Sequence, residues 1–144
     1  MYVDSAVFVK LVVREADSLF YADLLENQRF VRSSELAVVE CRSALLRKMR
    51  EGQLDEKTRE RAWVRLQNLW TGGGVKLLPV SGSILAGAGD ALQSCGVRIP
   101  LRTLDAIHLA TALECNAFPL ITNDRVMRAA AGHLRIPLGP ELKP

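Results

Sequence analysis

The chain has 144 residues, 49% of them hydrophobic, and a formal charge of +3 at pH 7, which suits one compact domain spanning 1–144 and leaves little room for a second. Cys41, Cys95 and Cys115 are odd in number and widely spaced, so neither a disulfide framework nor a zinc knuckle is expected, and a reducing cytoplasm is the natural setting. No apolar run reaches membrane-spanning length, and Asp4, Lys10 and Arg14 interrupt the opening stretch, so neither a membrane span nor a signal peptide is expected.

Met1-Tyr2-Val3 predicts a short strand ended by Asp4-Ser5, and Ala6 to Val13 predicts an apolar helix. Asp4 therefore sits at the C-terminal end of a strand, the edge where ligands bind in open parallel sheets, unless it does no more than cap the helix. A helix over Asp17 to Asn27 leads to a strand at Phe30-Val31-Arg32, and Ser33-Ser34 offers an N-cap for the helix that follows. Within that helix Glu40 has Leu36, Val39, Ser43 and Ala44 at helical spacing, so it interrupts a surface expected to face the core. Glu35, in the first turn, complements the helix dipole.

Lys57 to Trp70 predicts a long helix with Trp63, Leu66, Leu69 and Trp70 as its anchor and Lys57, Arg59, Arg61 and Arg65 as its basic residues. That basic face is either a solvated surface or, with Arg47, Lys48 and Arg50, a contact for a phosphate backbone. Gly72-Gly73-Gly74 ends the helix without the pattern of a nucleotide-binding loop, and Val75 to Val80 predicts a third strand. Ser81 starts a small-residue helix running to about Cys95, on which Asp90 is expected to be exposed; Gly96 and Pro100 then break the chain.

The next helical stretch is Leu101 to Leu113, in which Leu101, Asp105, Leu109 and Ala112 share one face. A lone buried carboxylate is costly, so Asp105 requires a cation or a set of donors. Ala117 to Ile121 predicts a fourth strand, ended by Thr122-Asn123-Asp124 and a helix over Arg125 to Ala131; Ile136 to Leu138 predicts a fifth strand. Strands alternating with helices imply a parallel α/β sheet, with right-handed crossovers bringing Asp4 and Asp124 to the same edge.

Asp4, Glu40, Asp105 and Asp124 would repel one another in a shared cleft unless protons or cations lay among them. An oxygen-only donor set selects Mg²⁺ or Mn²⁺ over zinc, and such ions support phosphodiester hydrolysis. If the four do cluster, 19 basic residues against the 12 remaining acids leave a body of +7, which suits a polyanionic substrate. His108, one turn after Asp105, is either a satisfied core histidine or a partner of the site. Ser5 and Thr122 carry hydroxyls beside two of the acids.

Val3-Asp4-Ser5, Ser34 through Glu40 with Arg42, Leu104 through Ala112 and Thr122-Asn123-Asp124 together resemble the PIN-domain ribonucleases, specifically the VapC-type toxins of bacterial toxin–antitoxin pairs. The resemblance covers nearly the whole chain and implies a three-layer α/β/α domain with a parallel sheet of about five strands. It implies a Mg²⁺- or Mn²⁺-dependent endoribonuclease acting on transfer or ribosomal RNA, with inhibited translation and growth as the result. Asp4, Asp105 and Asp124 match the family's metal ligands, and Glu40 a further ligand or water-orienting base. Ser5, Thr122, Asn123 and His108 stand where they could support those acids. A homodimer and a VapB-type antitoxin are the partners implied. Ala6 departs from the Ser or Asn usual two residues after the first Asp, which removes one supporting hydrogen bond. Two other readings are a binding module whose acidic pocket holds a partner's arginine, and a phosphoacceptor receiver domain; the latter lacks an adjacent acid pair after the first strand and an aspartate after the third.

Overall fold

The computed structural model describes residues 1–26 and 28–140. Four strands and seven helices alternate along these residues: β1 (Tyr2–Val3), α1 (Ser5–Val12), α2 (Ser18–Glu26), β2 (Val31–Ser34), α3 (Leu36–Arg50), α4 (Glu56–Thr71), β3 (Val75–Leu78), α5 (Gly82–Cys95), α6 (Thr103–Glu114), β4 (Leu120–Ile121) and α7 (Arg125–His133). The expected Asn27 end of the second helix lies outside the described residues.

The strands pair in parallel in the order β3-β2-β1-β4. Tyr2 stands beside Arg32 on one side and Leu120 on the other, and Val3 stands beside Ile121. Because both faces of a parallel sheet are covered by helices, its central strands lose the polar alternation of a half-exposed sheet. Tyr2, Val3, Leu120 and Ile121 are accordingly all 0% exposed. Val3 and Ile121 turn to one face and join Val7, Phe8, Tyr21, Cys41, Leu45 and Leu66 from α1 to α4. Tyr2 and Leu120 turn to the other and pack with Leu109, Met127 and Ala130 from α6 and α7, while α5 closes over α6. These are the three layers.

Local chemistry sets the helix ends. Asp55 accepts the Thr58 N–H at 2.6 Å and starts α4, which thereby begins earlier than Lys57. Ser81 caps α5 through the Ile84 N–H at 3.2 Å, and α5 ends at Gly96 in a left-handed conformation with φ of 53°. Several expectations differ from the observed elements: β2 runs from Val31 to Ser34, β3 ends at Leu78, and β4 is confined to Leu120–Ile121. Ser33 and Ser34 are the last residues of β2, the Ser33 hydroxyl donating to the Val3 carbonyl and the Ser34 N–H to the Tyr2 hydroxyl. The N-cap position of α3 falls on Glu35, which makes no side-chain cap bond, while the Ser34 hydroxyl accepts the Leu36 N–H at 3.2 Å and so serves the first turn as expected. The helix carrying Asp105 begins at Thr103, leaving Leu101 before it. The fifth strand reduces to a single parallel bridge between Leu120 and Leu138. Pro137 has no N–H to extend a ladder, Arg135 turns the chain at φ of 57°, and Gly139 lies where a Cβ would collide with the Ile121 side chain. Asp90 is exposed, as expected.

Candidate active site

Asp4, Glu40, Asp105 and Asp124 all line one cleft of about 970 Å³ at the C-terminal edge of the sheet. Asp4 follows β1 and Asp124 lies three residues after β4, so parallel pairing of those strands delivers both to the same end. Asp4 is buried, its Oδ2 accepting from the Thr122 hydroxyl at 2.9 Å and its Oδ1 from Ser5 at 3.2 Å. Thr122 Oγ1 also accepts the Asp124 N–H at 3.1 Å, and Asp124 Oδ1 caps α7 through the Met127 N–H at 2.8 Å. Asp124 is thus both a cleft acid and the cap of α7, whereas Asp4 occupies the N-cap position of α1 without a side-chain cap bond. Ala6 presents only a methyl group to the cleft, but the two hydroxyl donors on Asp4 remain. Asn123 is exposed and lines the cleft.

Asp105 enters from the first turn of α6 and is half-buried. Burial, then the negative charges of Asp124 and Asp4, push its carboxyl up to about 6 against the weaker pull of His108 and Arg102. Its Oδ2 is buried and has no hydrogen-bond partner among the described residues.

Glu40 is the fifth residue of α3, in its second turn. Its neighbours at helical spacing, Leu36, Val39, Ser43 and Ala44, line the same cleft, and Val39 is 68% exposed. The surface expected to face the core is therefore the cleft wall, because α3 buries Ala37, Cys41 and Leu45 instead. Glu40 Oε2 meets His108 Nε2 at 2.5 Å, and His108 Nδ1 lies 2.6 Å from the Tyr2 hydroxyl. His108 is 0% exposed, so it is both a satisfied core histidine and a partner of the site. Burial disfavours its charged form, but the hydrogen bond to Glu40 and the charges of Asp4, Glu40 and Asp105 outweigh burial and hold its pKa above the usual histidine range.

Basic side chains surround these acids. Arg102 and Arg125 lie on the lip beside Asp105 and Asp124, while Lys10, Arg47 and Lys48 line the other end. Lys10 binds Glu15 at 2.7 Å and Asp17 at 2.8 Å, and Lys48 binds Glu15 at 2.7 Å. Lys57, Arg59, Arg61 and Arg65 do not line the cleft, nor does Arg50; α4 packs through Trp63 and Trp70, whose rings meet edge to face. The missed contributors are Tyr2, Lys10 and Glu15, and Lys48, expected with Arg47 and Arg50 as a phosphate contact, is instead bound to Glu15. A lysine amid Val7, Phe8 and Val9, with acids five and seven residues on, was the available signal for the ion network. A tyrosine in a buried strand, which needs a partner for its hydroxyl, was the signal for Tyr2.

Among the described residues no group of three or more His, Cys, Asp and Glu side chains is arranged to hold a metal ion as it stands. The acids share a cleft, not a finished coordination sphere. Their chemistry nevertheless fits a hard divalent cation: the donors are all carboxylates, and Asp105 keeps a buried unpartnered oxygen.

This fold and cleft define a PIN domain. The PIN family model matches residues 1–133, and the chain belongs to that family. It is 39% identical over 133 residues to ribonuclease VapC46 of Mycobacterium tuberculosis, covering 91% of this chain and 89% of the relative. Among solved structures, VapC20 of the same organism, a toxin that cleaves the sarcin–ricin loop, superposes with a TM-score of 0.73 over 90% of this chain and 93% of that one. At 18% identity that likeness speaks for the fold. No helix among the described residues is long and apolar enough to cross a membrane.

Proposed function

We propose that this protein is a VapC-type toxin: a cytoplasmic, Mg²⁺- or Mn²⁺-dependent endoribonuclease that cuts structured RNA, transfer or ribosomal, and is neutralised by a VapB-type antitoxin. The observation that carries the reading is the meeting of four acids from four different elements on one cleft, with an unpartnered Asp105 oxygen among them. Similarity to VapC46 supports the activity and the toxin class.

In this reading Asp4, Asp105 and Asp124 are the ligands for the cation, and Glu40 is a further ligand or the base that orients water. The ion, when bound, offsets the charge of the phosphodiester and lowers the cost of deprotonating water. Asp4 and Asp124 keep their positions through Thr122, so the ligand set is braced before any ion arrives. Glu40 presents its carboxylate from the cleft wall, where it can accept a proton. Arg102 and Arg125 on the lip, and Arg47 farther along α3, face the phosphates of an RNA strand crossing the cleft. The protomer works as a homodimer.

Cleavage of total cellular RNA by purified, antitoxin-free protein tests this, with Mg²⁺ or EDTA and beside Asp105→Asn. Discrete fragments from wild type with Mg²⁺ alone are expected. Equal cutting by Asp105→Asn, or cutting unaffected by chelator, overturns the site. If neither protein cuts any RNA fraction and the folded wild type instead holds an arginine-rich peptide, the cleft is a docking pocket.

A further inference from the structure

Three hydrogen bonds run in series from the sheet to the cleft. The Ser34 N–H, at the end of β2, donates to the Tyr2 hydroxyl at 3.1 Å; that hydroxyl meets His108 Nδ1 at 2.6 Å; His108 Nε2 meets Glu40 Oε2 at 2.5 Å. Tyr2 and His108 are each 0% exposed, whereas Glu40 lines the cleft. Neither buried side chain can touch a substrate.

The direction of the series follows from its ends. Glu40, as a carboxylate, accepts, so the hydrogen facing it belongs to Nε2. In the neutral ring Nδ1 is then the acceptor, and Tyr2, already receiving the Ser34 N–H, donates to it. In the charged ring Nδ1 donates to the tyrosine oxygen and Nε2 still faces Glu40 with a hydrogen. Both forms pin the same carboxylate oxygen. A histidine kept only to fill space would not require a tyrosine at the centre of the sheet and a glutamate in the cleft. The cleft acids also divide by their surroundings: Asp105 feels Asp124 and Asp4, while Glu40 is held by the imidazole.

We infer that Tyr2 and His108 are positioning residues for Glu40, fixing Oε2 through a relay anchored on the β2 backbone and leaving the other carboxylate oxygen to the cleft. The inference rests on the nuclease reading for its effect on turnover, but the relay is a property of the protein alone. Hydrogen-bonding partners behind a site's acids are worth tenfold to hundredfold in activity. A Gln at position 108 can place an amide N–H near the Nε2 position, whereas Leu cannot.

The test combines kinetics with the ring nitrogen signals of His108. In protein free of metal and RNA, Glu40→Gln and Tyr2→Phe each shift the His108 ¹⁵N resonances. In RNA cleavage, Tyr2→Phe and His108→Leu lower kcat by about tenfold to hundredfold with KM within about twofold, and His108→Gln recovers most of the loss. Thermal unfolding identifies a variant that does not fold, in which case Tyr2→Phe and His108→Gln carry the comparison. Resonances that do not move in Glu40→Gln overturn the relay. So does wild-type kcat in folded Tyr2→Phe and His108→Leu when Glu40→Gln is impaired. Moving resonances together with full cleavage by Glu40→Gln uphold the relay and instead remove Glu40 from the proposed nuclease machinery.

Discussion

Asp4 and Thr122, 118 residues apart in the chain, are joined by a hydrogen bond of 2.9 Å across the seam between β1 and β4. The same hydroxyl oxygen receives the Asp124 N–H, so one side chain braces the first and the last acid of the cleft. Thr122→Val preserves shape but strips a donor from a buried carboxylate and an acceptor from a backbone N–H. A loss of about 1–3 kcal/mol in stability is expected, with activity down by about tenfold to hundredfold, while Thr122→Ser stays close to wild type. Urea unfolding and cleavage rates check both.

Asp105 carries a stability cost that an ion would relieve. Its carboxyl titrates at about 6 in the fold against an ordinary 3.8, so folding favours the protonated form. The group's contribution improves as pH falls from about 6 to 4 and is least favourable above pH 6. Metal-free Asp105→Asn should therefore be more stable than wild type at pH 7.5, by on the order of 1 kcal/mol after allowing for solvent screening, with the gap closing by pH 4. Adding Mn²⁺ at a hundredfold excess over its Kd should stabilise wild type by about 2.7 kcal/mol and the variant by less, read as shifts in Tm.

Asp124 separates architecture from charge. Asn at this position still accepts the Met127 N–H and caps α7, but loses the carboxylate; Ala loses both. Asp124→Asn should keep wild-type stability and lose cleavage. Asp124→Ala should lose cleavage and about 1 kcal/mol of stability as well. Circular dichroism melts beside a cleavage assay distinguish the two.

Glu15 has the opposite pH signature to Asp105. Burial raises its carboxyl, but Lys10 and Lys48 outweigh that and hold it below the ordinary 4.5. Its contribution is present above pH 4.5 and is lost as pH falls through the lower folded value. Glu15→Gln should cost on the order of 1 kcal/mol at pH 7, and the difference from wild type should shrink as the pH is lowered well below 4.5. A pH series of melts on both proteins checks the sign.

The elements that periodicity and punctuation define were legible in the sequence. Asp4 and Thr122-Asn123-Asp124 stand at strand ends because short apolar runs stop there, and Ser81, Gly72 and Gly96 mark real helix ends. Asp105 was visible as an acid set into an apolar helix. What failed depended on partners distant in the chain. Leu36, Val39 and Ala44 look like a core stripe around Glu40, yet an apolar cleft wall and a core face have the same spacing along a helix, and only packing against α1 and α4 shows which is which. Ser34 does serve the start of α3 through its hydroxyl, but that Ser33 and Ser34 also end β2 depends on β1, far away in the chain. Tyr2 and His108 are 106 residues apart, beyond any local pattern.

The strand order also has a consequence in time. β1 occupies the middle of the sheet, and one of its two flanking strands is β4, whose pairing closes a loop from Tyr2 to Leu120. A polypeptide that has left the ribosome only as far as α6 contains Asp4, Glu40 and Asp105, but not Thr122 to brace Asp4, nor Asp124. Long loops of this kind close late and only once their distal partner exists. Completion of the acidic cluster is thus scheduled by the topology itself: the growing chain gains its second acid at Glu40, its third only at Asp105 and the last at Asp124.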